Sequence, residues 1–246
     1  GHMRRPRFQS RPLLRSYKKD SNHGVRTLSS FLLKISQKDV ILDYVQLRIG
    51  CFHFLLKALP KGSTVASSCY TIFDMVNIII SAGHKPFFVD IDKKNLGPNI
   101  PELVKLVESR SVQAVIYTHL HGYKADLKIL SETCKKNNCI LIEDCAQSFG
   151  ATYKMKQTGS YGDIGCYSFF PTKNLGCFGD GGLITAKNKK VYESLLKLRT
   201  HGGIKRNQHD IIGYNSRLDE IQAAILDIKL KHINKLINKG DESNET

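Results

Sequence analysis

From residue 40 onward the apolar positions of the chain fall into two alternating rhythms. Short runs rich in β-branched residues, at 40–47, 64–69, 86–91, 112–119 and 139–143, have the composition of strands buried on both faces. Between them, 51–59, 73–82, 101–109 and 126–137 bring apolar side chains back every three or four positions, the period of an amphipathic helix. Strand followed by helix, four times over, predicts an α/β domain with a mainly parallel sheet flanked by helices on both faces.

After Asp144 the rhythm shortens. Segments 165–170 and 182–186 read as strands separated by glycine-rich loops, and loops of that kind set against a sheet are where chemistry tends to sit. Helical patterning resumes at about 189–200 and again over 218–236, where Ser216, Asp219 and Glu220 mark the start. Residues 1–39 show no periodicity and read as a basic arm, 40–240 as one domain, and 241–246 as a polar tail.

Composition adds little to that picture, and charge adds its distribution. Of the formal +15, residues 1–40 hold ten basic and two acidic side chains and 187–240 hold twelve and five, while 41–186 are nearly balanced at fifteen and twelve. An ordinary domain with basic flanks attracts phosphate-bearing partners of any kind. No aromatic platform, helix-turn-helix or zinc spacing accompanies the basic residues, so nucleic acid is not an expected partner. The seven cysteines contain no Cys-x-x-Cys and lie mostly in apolar runs, which fits reduced thiols in a cytoplasmic protein and no metal site. The Arg-rich stretch after Gly1-His2-Met3 lacks an apolar leader core, and no uncharged run spans a bilayer, so neither secretion nor a membrane association is expected.

Two segments carry candidate chemistry. In Phe169-Phe170-Pro171-Thr172-Lys173-Asn174-Leu175-Gly176, followed by Gly179-Asp180-Gly181-Gly182, a lysine is framed by aromatics, a proline and glycine turns. Burial there would favour the neutral amine, which attacks carbonyls; a surface loop lysine is the plainer reading of the same residues. Upstream, Glu143 and Asp144 end a buried strand, and the carboxyl ends of parallel strands are where open α/β sheets bind ligands. An acid there can pair with a protonated ring nitrogen, or simply cap the next element. His119 and His121 end another strand on that side, and a hydrogen-bonded structural role is expected of them.

Four stretches in order, 143–151, 162–176, 179–182 and 213–224 (the last reading Gly-Tyr-Asn-Ser-Arg-Leu-Asp-Glu-Ile-Gln-Ala-Ala), make the chain resemble the DegT/StrS-type nucleotide-sugar aminotransferases, pyridoxal-phosphate enzymes of fold type I. The resemblance runs from about residue 40 to 236. It implies that Lys173 carries the cofactor as a Schiff base and that Asp144 partners the pyridine nitrogen. Gln147, one helical turn on, would meet the ring or its phenolic oxygen. Ser168 would hold the phosphate with backbone N–H groups of Gly50 and Cys51, where a strand turns into a helix. Ile72 stands where the family stacks an aromatic on the ring, with Tyr70 and Phe73 beside it. Asn215 would reach the phosphate of a neighbouring subunit, which implies a homodimer with shared active sites.

The implied reaction is transfer of an amino group from an amino acid, commonly glutamate, to a keto-sugar linked to a nucleoside diphosphate, in deoxyamino-sugar and surface polysaccharide biosynthesis. Ile49-Gly50-Cys51 departs from the family's Ser-Gly-Thr, and the small C-terminal domain of the family is expected to be missing. The alternative reading is a homologue that keeps the cofactor fold as a binding or vestigial module with little turnover.

Overall fold

The computed structural model describes residues 40–233, apart from 45, 46, 124, 155 and 206. The expected basic arm and polar tail lie outside these residues. In chain order the elements are β1 (Val40–Tyr44), α1 (Leu47–Ala58), β2 (Thr64–Ser68), α2 (Phe73–Ser81), β3 (Lys85–Val89), α3 (Ile100–Glu108), β4 (Ala114–Thr118), α4 (Lys128–Lys136), β5 (Ile140–Asp144), β6 (Thr152–Tyr153), β7 (Lys156–Gln157), β8 (Ile164–Ser168), β9 (Gly182–Ala186), α5 (Lys189–Arg199) and α6 (Glu220–Leu230). The short β6–β7 hairpin has no apolar alternation and was not visible in the pattern; the expected end of the last helix, 234–236, lies outside the described residues.

Seven strands form one sheet in the order β1-β9-β8-β5-β4-β2-β3. The pairs β3/β2, β2/β4, β4/β5 and β5/β8 are parallel, and β9 runs antiparallel to both β8 and β1. Strand pleating sends Ala114, Ile116, Ile142, Ile164 and Ile184 to one face, where they pack with Phe54, Leu55, Met75 and Ile79 of α1 and α2 and with Leu195 of α5. Val115, Leu141 and Tyr117 point to the other, against Leu103 and Val107 of α3 and Leu130 and Cys134 of α4. Each such buried aliphatic chain stabilises the fold by about 1.5–3 kcal/mol, so this double-sided core fixes which strand ends line up.

Helix starts follow local chemistry. The Asn99 side chain accepts from the Glu102 N–H at 3.0 Å and so caps α3, whose first turn holds Pro101, and Asn188 accepts from the Lys190 N–H at 2.8 Å to cap α5. One expectation needs correcting. The first strand ends at Tyr44 and α1 begins at Leu47, so Gly50 and Cys51 lie inside the helix and not at its start. Gly50 is there because α1 crosses β9 closely: a Cβ at this position would sit 2.5 Å from Ile184 Cδ1.

Candidate functional site

Thr118 and Asp144 are register partners at the ends of β4 and β5, and Tyr44, Gly182 and Ser168 are aligned across β1, β9 and β8. The start of α1, Ser168 and Asp144 therefore share one edge of the sheet. It is the edge at which the parallel strands present their carboxyl ends.

Glu143 and Asp144 point to opposite faces, and their surroundings differ. Glu143 Oε1 accepts from the N–H groups of Tyr161 (2.7 Å) and Gly162 (2.6 Å), and Oε2 from Gly159 N–H (2.8 Å) and His119 Nε2 (2.9 Å). Burial pushes this carboxyl up, but the His119 contact and the backbone donors outweigh it and hold Glu143 below the usual carboxylate range. His119 is thus a structural histidine, as expected, while His121 is exposed. His119, Glu143 and Cys145 bring ligand-type atoms within 4.8 Å of one another, but both oxygens of Glu143 are already engaged by two donors each. The cluster fastens the loop that precedes β8.

Asp144 is only 2% exposed and has spare acceptor capacity. Oδ1 accepts from Ala146 N–H at 3.0 Å, and among the described residues Oδ2 meets only the Thr118 hydroxyl, at a long 3.4 Å. Burial raises its pKa, opposed by the Ala146 N–H, by His119 and by the Lys173 ammonium. Thr118 in turn lies 3.4 Å from the Thr71 hydroxyl, which ties the segment carrying Tyr70, Ile72 and Phe73 to the same acid. Sequence reasoning missed both threonines; the visible signal was a hydroxyl ending the apolar run of β4.

Lys173 sits in a turn in which its N–H bonds to Phe170 C=O at 2.9 Å. The loop is closed at its base by Phe169 N–H to Gly181 C=O (2.8 Å) and by Cys177 N–H to Phe169 C=O (2.8 Å). Gly176 is required here, since a Cβ would fall 2.4 Å from Pro171 O. The lysine is half-buried, with Phe170, Pro171, Thr172 and Asn174 exposed around it, so a single chain offers an open site in place of the tight apolar pocket expected. Its charge acts on Asp144, lowering the pKa that burial raises, so the two sequence motifs lie within electrostatic reach of each other.

The remaining candidates are placed as follows. Ser168 ends β8, half-buried, its Oγ accepting from Phe170 N–H at 3.3 Å. Gln147 lies in a turn and not in a helix, exposed, its Oε1 accepting from His121 N–H at 2.9 Å. Ile72 occupies the N-cap of α2, with its side chain 57% exposed. Asn215 is exposed and bridges to Thr200. Its segment is anchored to the site edge through Asp43, whose carboxylate pairs with Arg199 at 2.5 Å and accepts from Leu218 N–H at 3.3 Å. The Gly50 and Cys51 N–H groups lie within the helix; the unpaired donors of α1 belong to its first turn, 47–49. The Cys51 thiol is buried against Cys166, so both positions serve packing.

The donor set suits pyridoxal phosphate: a buried carboxylate short of partners for a ring cation, an amine acting on it, and a hydroxyl beside a helix start for a phosphate. Among the described residues no helix is long and apolar enough to cross a membrane.

Comparison with known proteins bears directly on this arrangement. The profile of the DegT/DnrJ/EryC1/StrS aminotransferase family matches residues 51–246. A pleiotropic regulatory protein of Geobacillus stearothermophilus is 39% identical over 195 residues, 76% of this chain and 52% of that protein. The UDP-N-acetyl-3-dehydro-alpha-D-glucosamine 3-aminotransferase of Acidithiobacillus ferrooxidans is 38% identical over 180 residues, 72% of this chain and 48% of that enzyme. The crystal structure of DesV from S. venezuelae, in complex with a ketimine intermediate, superposes with a TM-score of 0.79 at 28% identity, covering 86% of this chain and 57% of that one. The chain spans about half the length of the curated relatives it matches.

Proposed function

The chain belongs to the DegT/DnrJ/EryC1/StrS aminotransferase family, with the large-domain architecture of fold type I, and on that premise we propose that it is the cofactor-holding part of a pyridoxal-phosphate-dependent sugar aminotransferase. The amino donor is an amino acid, glutamate, and the acceptor a keto-sugar on a nucleoside diphosphate, the class that the names of its relatives describe. When bound, pyridoxal phosphate supplies the electron sink that lets nitrogen leave one carbon and join another.

The observation that carries this reading is Asp144, a buried carboxylate with a free lone-pair direction and Lys173 acting on it. Its charge keeps a ring nitrogen protonated. Lys173 Nζ would move the proton between the substrate carbon and the cofactor's C4′, as base and then as acid, in one direction for the donor and in the reverse direction for the acceptor. Ser168 Oγ and the first turn of α1 would hold the phosphate, Gln147 would meet the ring or its phenolic oxygen, and Ile72 would stand against the ring. Asn215 of the partner subunit would complete the phosphate site in a homodimer, and the exposure of this residue leaves it free to do so. Free, mostly buried thiols fit a cytoplasmic setting.

The test is borohydride reduction of the protein loaded with pyridoxal phosphate, followed by peptide mass mapping. A pyridoxyl group on Lys173, and bleaching of the yellow unreduced protein by glutamate, support the proposal. Modification on another lysine, or none, overturns it. Colour without bleaching leaves the holding role and removes the transfer.

A further inference from the structure

The loop that carries Lys173 is gripped from outside the site by α6. Gln222 Oε1 accepts from Phe178 N–H at 2.8 Å, and it can approach because Gly179 has no side chain: a Cβ there would sit 3.0 Å from Gln222 Nε2. Two turns on, the Lys229 ammonium donates to Gly176 C=O and lies 4.9 Å over the Phe178 ring. At a spacing of seven the two side chains share one helix face. Between and beside them, Ala223, Leu226 and Leu230 pack into the cluster that contains Phe169, Leu175 and Cys177 of the same loop. The Cys177 thiol, turned inward, bonds to Phe169 C=O at 2.9 Å and Gly179 C=O at 3.1 Å.

Residues 176–178 are thus held on both sides. The turn at Phe170–Lys173, by contrast, is tied among the described residues by local bonds alone, Lys173 N–H to Phe170 C=O and the longer Phe170 N–H to Ser168 Oγ. We propose that Gln222 and Lys229 are positioning residues that fix the carboxyl half of the loop, so that Lys173 is presented toward Asp144 without having to be ordered at the moment of reaction. The inference rests on the proposed role of Lys173. It assigns a purpose to two polar side chains whose neighbours on α6 belong to the core. An amine held near its reacting position gains in rate because the ordering has been done in advance.

The experiment has two readouts on the full chain. Hydrogen exchange of the cofactor-free protein at residues 173–178 reports the grip, and the rate at which borohydride-stable pyridoxyl appears at Lys173 reports positioning. Gln222→Ala and Lys229→Met should each speed exchange at Phe178 by about tenfold, the weight of one hydrogen bond, and slow attachment by a similar factor. Gln222→Glu, which keeps the acceptor for Phe178 N–H, and Lys229→Arg should restore most of both, with thermal midpoints unchanged. Unaltered exchange in both variants overturns the grip whether or not the parent takes up the cofactor. Faster exchange with attachment within twofold of the parent overturns the positioning role. A parent that acquires no pyridoxyl at Lys173 refutes the proposed function instead, and the exchange data then decide the grip by themselves.

Discussion

Two adjacent carboxylates, Glu143 and Asp144, leave the same strand on opposite faces and have opposite fates. Glu143 meets four donors and is held ionised; Asp144 meets one good donor and one distant hydroxyl, and burial disfavours its charge. Both are buried, both are acidic, and residue type does not separate them. What separates them is whether the protein itself supplies the positive partners. A buried acid with a full set of donors is part of the scaffold, and one left short is a place prepared for a cation that arrives later.

The largest expected effect tests the scaffold half of this contrast. Glu143→Ala strands three backbone N–H groups and an imidazole, and should cost about 3–5 kcal/mol in denaturant unfolding, the range for breaking a buried charged network. A loss below about 1 kcal/mol would place Glu143 among ordinary polar residues. The pH dependence has a definite sign: because the folded Glu143 is held low, its contribution is complete above the ordinary carboxylate range and disappears as pH falls through the depressed value.

The second effect is smaller and of the other sign. A raised folded pKa means that Asp144 favours the folded, cofactor-free protein at low pH and that this contribution is lost as pH rises through the raised value. Asp144→Asn should therefore raise the melting temperature of the cofactor-free protein at neutral pH by roughly 2–4 °C, the shift that about 1 kcal/mol gives in a domain of this size. The difference should close on acidification, and the variant should bind pyridoxal phosphate at least about tenfold more weakly. A variant that melts lower at neutral pH and binds as well as the parent would show that Asp144 is scaffold too.

The smallest effect refines the picture. Thr118→Val removes a hydroxyl 3.4 Å from Asp144 and from Thr71, and should change stability by less than about 1 kcal/mol. It also removes an interaction that lowers the Asp144 pKa, so NMR titration should find Asp144 ionising at higher pH. An unchanged or lower value would show that the hydroxyl has no hold on the acid.

The sheet was legible because its central strands are buried on both faces and so read as uninterrupted apolar runs, while the edge strand β3 is largely exposed; Gly182–Ala186 appears as expected and the central strands shift by at most two residues. The first helix was misplaced because Leu47-Arg48-Ile49 contains no capping residue, while Gly50 looks like a turn in one dimension and is a close helix-strand crossing in three. Asp144 and Lys173 could be singled out by their surroundings in sequence. That Asp144 and not Glu143 is left short of donors could not, because the donors come from residues 159–162, far along the chain. Gln222 and Lys229 were hidden for the same reason, their partners being backbone atoms of a distant loop.

The strand order also has a consequence in time. β1, the earliest in sequence of the described strands, pairs among the described residues with β9 alone, so Val40 must wait for Ala186. At roughly 5–20 residues per second that interval lasts on the order of ten to thirty seconds, during which the apolar side of α1, including Phe54 and Leu55, lacks its partners Ile184 and Leu195. The β2-to-β8 body can assemble meanwhile, from strands parallel and close in sequence. Closure of the nascent domain, and with it alignment of Tyr44 beside Ser168, is therefore a late event in biogenesis, and the early segment is the one most in need of a chaperone's protection.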